Sequence, residues 1–179
     1  MPIRMLAALA AALLLGACAP GTVYRDTDVS MRSVDVDPAR YQGRWYEIAR
    51  YPAFFQRGCT DVTADYALQG DGTIAVLNTC RRGDDRDSIA GTARIVGPGQ
   101  LKVRLGRIPF AGDYWVIWLD PDYRAAVVAT PSGRFGWVLS RTPVPDPALL
   151  DQATAALAAA GYDTGALEPT PQAAGQAGG

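Results

Sequence analysis

From residue 45 to residue 141 the chain reads as short strand-like runs, each bounded by Gly, Pro, Asp or Ser. The runs cover 45–51, 61–68, 73–79, 88–96, 101–105, 113–119, 124–130 and 135–141. Gln69-Gly70-Asp71-Gly72, between the second and third, is a strong hairpin signal. Gly97-Pro98-Gly99-Gln100, Asp120-Pro121-Asp122-Tyr123 and Pro131-Ser132-Gly133 supply further turns. Eight strands joined in sequential order by tight turns form a meander, which predicts an all-β, up-and-down antiparallel barrel. A sandwich is the alternative, but it usually needs long crossovers and none is visible. The period then changes. Over 146–160, Leu149, Leu150, Ala153, Ala156, Leu157 and Ala160 recur at helical spacing. Asp146 can cap this helix, Pro147 suits its first turn and Gly161 its end, so one C-terminal helix covers the barrel wall.

The two ends differ from this middle. In residues 1–17, Arg4 precedes an apolar run over 5–15 that is too short to cross a bilayer and suits a signal-peptide core. Leu15-Gly16-Ala17-Cys18 resembles a bacterial lipobox, which implies cleavage before Cys18 and acylation of that residue. Ala19 beside it implies, by resemblance, sorting to the outer membrane. Residues 18–35 are polar without sustained periodicity and read as the lipidated cysteine and a flexible tether that lets the domain stand off the membrane. Residues 164–179, rich in Gly, Pro, Ala and Gln, read as a disordered tail. The barrel with its helix is left as 36–163.

Charge and composition narrow the chemistry. Against 18 Asp+Glu, 17 Lys+Arg give no basic excess to neutralise phosphates, so nucleic acid is not an expected partner. The chain has no His, which excludes a Ser-His-Asp triad, a Cys-His pair and His-ligated haem or zinc. Lys102 alone is available for Schiff-base chemistry. Asp84-Asp85-Arg86-Asp87 lacks the Gly and distal Glu of a calcium loop and reads as a solvated turn, and neither a metal nor a cofactor is expected. Of the three cysteines, Cys59 and Cys80 remain once Cys18 is acylated. They lie nearly symmetrically about Gln69-Gly70, so an antiparallel hairpin would bring their Cα atoms to about 5 Å. In an oxidising compartment that predicts a disulfide, a staple giving about 2–4 kcal/mol.

Three blocks carry a resemblance to a known family. The run from Tyr41 to Arg50, with Gly43-Arg44-Trp45-Tyr46, resembles the Gly-x-Trp-Tyr signature of the first lipocalin strand. Asp120-Pro121-Asp122-Tyr123 resembles the family's turn between strands six and seven, and Trp137 to Pro143 the end of its last barrel strand. The blocks occur in order across roughly 34–167 and are most similar to bacterial outer-membrane lipoprotein lipocalins of the apolipoprotein D-like branch. The resemblance implies structural roles for Gly43, Trp45, Asp120, Tyr123 and Arg141. Trp45 and Arg141 would lie on neighbouring strands of the closed barrel, with the guanidinium across the indole face, a contact of about 1–2 kcal/mol when desolvated. Asp37-Pro38 resembles the start of a short helical plug.

An eight-stranded barrel can hold one small apolar ligand. Alternation from Trp45 and Arg141 places Ala49, Tyr51, Phe135 and Trp137 on the inner face, together with Glu47 and Leu139. The parity of 113–119 stays open on the residues alone; the resemblance favours Tyr114 and Val116 inside, Trp118 toward the closed end and Trp115 outward. Arg57, Arg104 and Arg107 are candidates for the mouth. Glu47, a costly inward carboxylate, needs a partner such as Arg50 or Arg141. Phe54-Phe55 reads either as a lid or lipid-touching element at the mouth, or as packing within its loop.

The resemblance implies an outer-membrane lipoprotein facing the periplasm, a lipocalin binding and storing or transporting a fatty acid such as palmitate, or a lysophospholipid. No catalytic residue is assigned. An enzyme acting on lipids or isoprenoids through Glu47 and a ligand-free scaffold are the rival readings, and the oligomeric state stays open. Alkylation of the denatured chain should reveal two additional thiols after reduction; an unchanged count would refute the disulfide.

Overall fold

The first strand sets the geometry of everything after it. β1 (Gly43–Arg50) pairs antiparallel with β8 (Gly136–Ser140) along one edge, and its first half pairs with β2 (Thr60–Leu68) along the other. Between these lie β3 (Ile74–Arg82), β4 (Asp85–Gly97), β5 (Gln100–Leu105), β6 (Gly112–Leu119) and β7 (Ala125–Ala129), each paired antiparallel with its neighbours in sequence. The eight strands form a closed up-and-down barrel, as the pattern predicts. The computed structural model describes residues 21–173, so the signal segment at 1–17, Cys18 and residues 174–179 of the expected tail lie outside the described residues.

Two apolar layers hold this wall. Inward side chains, among them Trp45, Tyr66, Val76, Ala93, Val116, Val128 and Leu139, form a buried inner cluster. A second cluster lies outside the barrel, where α2 (Pro147–Ala159) buries Leu149, Ala153 and Leu157, packing on β6 and β7. Asp146 caps α2 by accepting from the Ala148 amide at 2.9 Å, and Gly161, at φ +85°, lets the chain turn away. A short α1 (Pro38–Tyr41), capped by Asp37, plugs the lower end.

The supposed tether is not loose over its described part. Residues 22–35 run down the barrel from the rim to the base. At the rim the Tyr24 amide donates to the Gly133 carbonyl and the Tyr24 hydroxyl to the Pro52 carbonyl; at the base the Val34 amide donates to the Val116 carbonyl. Arg25, buried, donates Nε to the Ala160 carbonyl at 2.7 Å and also binds the Pro131 and Val29 carbonyls. A Cβ on Gly133 would stand 2.6 Å from the Arg25 Cβ, so this close approach requires glycine. The acceptors here are backbone carbonyls, which a reading of side-chain polarity does not register.

The expected disorder after residue 164 also gives way to structure. A 3-10 turn (Thr164–Ala166) leads into β9 (Glu168–Pro169), which pairs with β1 at Ala49 and Arg50. Here β1 has left β2, and the returning chain fills the gap. The Asp61 amide donates to the Pro171 carbonyl, the Thr170 amide to the Ile48 carbonyl, and Gln172 Nε2 to both the Glu47 and Val62 carbonyls at 2.8 and 3.0 Å.

The disulfide Cys59–Cys80 is present, with Cα atoms 5.4 Å apart, but its register differs from simple hairpin symmetry. The pairs Thr63↔Thr79 to Leu68↔Ile74 centre the hairpin on Asp71. A bulge between Thr60 and Thr63, with Asp61 at φ +49°, shifts the ladder and brings Cys59 to Cys80.

Gln172→Ala should cost about 1–3 kcal/mol, because two carbonyls lose their shared donor in a buried seam. Urea unfolding measures this; an unchanged midpoint would show that the seam does not depend on the amide.

Candidate ligand-binding site

The base is closed by the first and last strands together. Arg141 places its guanidinium carbon 3.9 Å from the centroid of the buried Trp45 ring. Its Nη1 donates to the Arg44 carbonyl, and its Nη2 to the carbonyls of Arg40, Tyr41 and Gln42, at 2.8–3.2 Å. Trp45 Nε1 donates to the Tyr41 carbonyl at 2.8 Å. Gly43, at φ +94°, makes the turn from plug to strand. On the opposite side Asp120 is buried and accepts from the Asp122 and Arg124 amides and from both ends of the Arg124 guanidinium. The Arg124 contact holds the Asp120 carboxyl below its usual range. Tyr123, at φ +60°, carries the Arg40 guanidinium over its ring and accepts from the Asp37 amide. These residues fix the plug; none is free for chemistry.

The inner wall departs from simple alternation at two bulges. In β1 the register shifts between Glu47 and Ala49, so Glu47 faces inward opposite Leu139, whereas Ala49 lies opposite Val138 on the outer face. Ala49 and Tyr51 are therefore not lining residues. Tyr51 is buried in the outer cluster, its ring 5.0 Å from those of Tyr24 and Tyr162. In β6 the shift falls between Val116 and Trp118: Tyr114 and Val116 face inward as expected, but Trp118 packs in the outer cluster. An extra residue exchanges the two faces beyond it. Trp137 and Leu139 are inward, and Phe135 stacks on Trp137 at the rim. Arg104 sits between the inward Val103 and Leu105 and is exposed on the outer face.

Three features are only partly legible in the sequence. The first is a tyrosine cluster: the Tyr114 hydroxyl lies 2.8 Å from that of Tyr41 and 3.0 Å from that of Tyr66. Burial, above all, raises all three phenols, Tyr66 to about 12. Extending the alternation of Leu68 and Ile74 would have placed Tyr66 inside. The second is a polar knot around Glu47. Its Oε1 accepts from Arg50 Nη1 at 2.8 Å and from Thr170 Oγ1 at 2.7 Å, and its Oε2 accepts from Gln56 Nε2 at 2.7 Å. Gln56 in turn accepts from Trp137 Nε1 at 3.0 Å. Glu47 and Arg50 are both buried, so the carboxylate is held by structural donors.

The third feature is the mouth itself. Phe54, Phe55, Phe135 and Trp137 stand in succession, with ring centroids 5.3, 5.4 and 6.0 Å apart. Phe54 is 76% exposed, while Trp137 packs against the inner cluster. Arg82 holds the loop in place by donating to the Phe55 and Arg57 carbonyls while paired with Asp87. At the far end, an apolar cavity of about 260 Å³ lies beside the plug, between Pro38, Tyr41 and Gln42 and the lower ends of β2 to β5, lined also by Tyr66, Ile74 and Leu101. The inward face is thus mostly apolar, with a polar knot near its mouth, a chemistry that suits a hydrophobic molecule.

The tyrosines predict an alkaline limit. A phenol kept neutral by burial has its folded pKa above the free value of about 10, so its stabilisation is intact below that pH and is lost as pH rises past it. Unfolding midpoints should fall above about pH 10, and less steeply in Tyr66→Phe. Equal slopes in the two proteins would contradict the assignment.

The comparisons agree with this geometry. The lipocalin-like domain family model matches residues 36–172. Temperature-induced lipocalin-1 of Arabidopsis thaliana is 41% identical over 144 residues, covering 74% of this chain and 77% of the relative. Outer membrane lipoprotein Blc of Escherichia coli (strain K12) is 36% identical over 163 residues, 89% of this chain and 90% of its own. Among solved structures, the cockroach allergen Per a 4 superposes with a TM-score of 0.67 at 19% identity, covering 83% of this chain and 96% of the allergen, a likeness of fold alone. With its first-strand Trp45 under Arg141, its closed eight-stranded barrel and its single packed helix, the chain belongs to the lipocalin family.

Proposed function

We propose that this lipocalin is a lipid-anchored protein of the cell envelope that binds a fatty acid or a lysophospholipid and stores or carries it. The observation behind the ligand class is the succession of Phe54, Phe55, Phe135 and Trp137, which leads from solvent to the barrel interior. A single acyl chain is slender enough to follow such a path. Each methylene withdrawn from water contributes about 0.8 kcal/mol, against the costs of ordering and association. The head group stays at the rim, where Arg57 and Arg107 are exposed. The work is binding rather than turnover, because both Glu47 oxygens are engaged by Arg50, Thr170 and Gln56. Two relatives named as outer membrane lipoproteins support acylation at Cys18 and residence at the outer membrane; in this reading the barrel faces the periplasm.

Native mass spectrometry of protein extracted from membranes should show a bound fatty acid or lysophospholipid; an empty barrel overturns the ligand class. Phe55→Asp, at a half-exposed position, should weaken palmitate binding about tenfold in tryptophan fluorescence titrations, since about 1.4 kcal/mol of apolar contact is lost. Unchanged affinity would remove the aromatic succession from the site.

A further inference from the structure

We propose that the mouth of the barrel is held against the bilayer, with the rim side chains Phe54, Phe55, Ile108 and Phe110 set into the lipid interface. This orientation rests on the reading of Cys18 as the acylated anchor. The segment that would have separated barrel from membrane is consumed by docking. From Tyr24 onward it is hydrogen-bonded to the barrel, and its upper end lies at the rim, with Gly21 against Arg134 and Tyr24 bonded to Gly133 and Pro52. Only Ala19 and Pro20 then separate Gly21 from Cys18, a reach of roughly 10 Å at full extension. A barrel so tethered presents its mouth to the bilayer.

The rim matches that neighbour. Phe54 is 76% and Phe110 72% exposed, with Phe55 and Ile108 beside them also exposed. The loop carrying Phe54 and Phe55 joins β1 to β2, and the loop carrying Ile108 and Phe110 joins β5 to β6. In a closed ring of eight strands those two junctions are opposite each other, so the apolar side chains flank the mouth on two sides. Aromatic side chains favour the membrane interface, and exposed ones here would otherwise stand in water. The far end also exposes apolar groups, but Leu68, Ile95 and Val96 are aliphatic and lie at the end remote from Gly21. In this orientation an acyl chain passes between bilayer and barrel along the aromatic succession without crossing open water.

The test uses the full acylated chain in vesicles of phosphatidylethanolamine and phosphatidylglycerol, some carrying brominated acyl chains that quench indole emission on contact. Phe110→Trp and Phe54→Trp place a new indole on either side of the rim. Gln69→Trp places one on the exposed hairpin turn at the far end. The rim variants should lose most of their added emission in brominated vesicles, and Gln69→Trp should keep it. If the wild-type chain floats with vesicles but the rim indoles stay bright, or the Gln69→Trp indole is quenched as strongly, the orientation is overturned while the anchor stands. If the full chain does not float, or Cys18→Ser floats as well as the wild type, the anchor fails and the orientation with it. Palmitate binding in detergent, measured on the same samples, reports on the ligand reading independently of both.

Discussion

A barrel closes only if its first strand finds a partner on each side, and β1 has to find three. Its lower half pairs with β2, and Tyr46 alone is shared between β2 and β8, which draws the seam shut beside Trp45. Its upper half keeps β8 but parts from β2, and β9 takes the vacant edge. The bulge at Ile48 accompanies this change of partners, and it decides which side chains face the ligand space. Glu47 points inward at the place where two strands no longer pair directly. Its carboxylate therefore gathers Arg50, Gln56 and Thr170, and Gln172 spans the carbonyls on either side. An unpaired carboxylate here would carry a heavy desolvation cost; one with three donors serves as a fastening.

The ends of the barrel are finished by different physics. At the base, one cation is spread over an indole face and four carbonyls, so charge, stacking and backbone satisfaction coincide in Arg141. Asp120 braces the opposite turn as an acceptor, taking the Arg124 guanidinium and the Asp122 and Arg124 amides. At the rim, by contrast, apolar rings remain exposed, and their loop is steadied by Arg82 through backbone carbonyls. The disulfide beside that loop ties β3 to the residue ahead of β2, so the segment bearing Phe54 and Phe55 is fastened at its C-terminal side. The closed end has its buried polar groups satisfied internally, while the open end keeps aromatic rings exposed.

The architecture was legible because it depends on features a sequence displays directly. Turn residues marked the strand boundaries, a helical period marked α2, and Asp37 and Asp146 marked two caps. The lining was less legible. Ile48 and Ile117 are ordinary strand residues, and nothing in their type announces a bulge; beyond the first, counting by twos gave the wrong face for Ala49 and Tyr51, and beyond the second, Trp118 turns to the outer cluster. The terminal segments were misread for another reason. Their composition is poor in apolar residues, but they are held by hydrogen bonds to backbone carbonyls of the barrel, made by Arg25, Gln172 and main-chain amides, and by Tyr24, Met31, Val34 and Leu167 packed on its apolar clusters. Composition measures how much apolar surface a segment can bury. It does not measure how many unsatisfied acceptors await it elsewhere.

The placement of Thr170 and Gln172 has a consequence for how the molecule comes into being. Every neighbouring pair among the eight barrel strands is close in sequence except one, the pairing of β1 with β8. The polar knot extends that separation further, since Glu47 meets Thr170 across 123 residues. A chain emerging from its N-terminus can form hairpins as it appears, but its buried carboxylate has no complete set of donors until nearly the last described residue arrives. Assembly of the meander is local and early; the seam is distant and late. Until β8 arrives the sheet stays open, and until the C-terminal segment arrives the seam beside Glu47 stays unfinished.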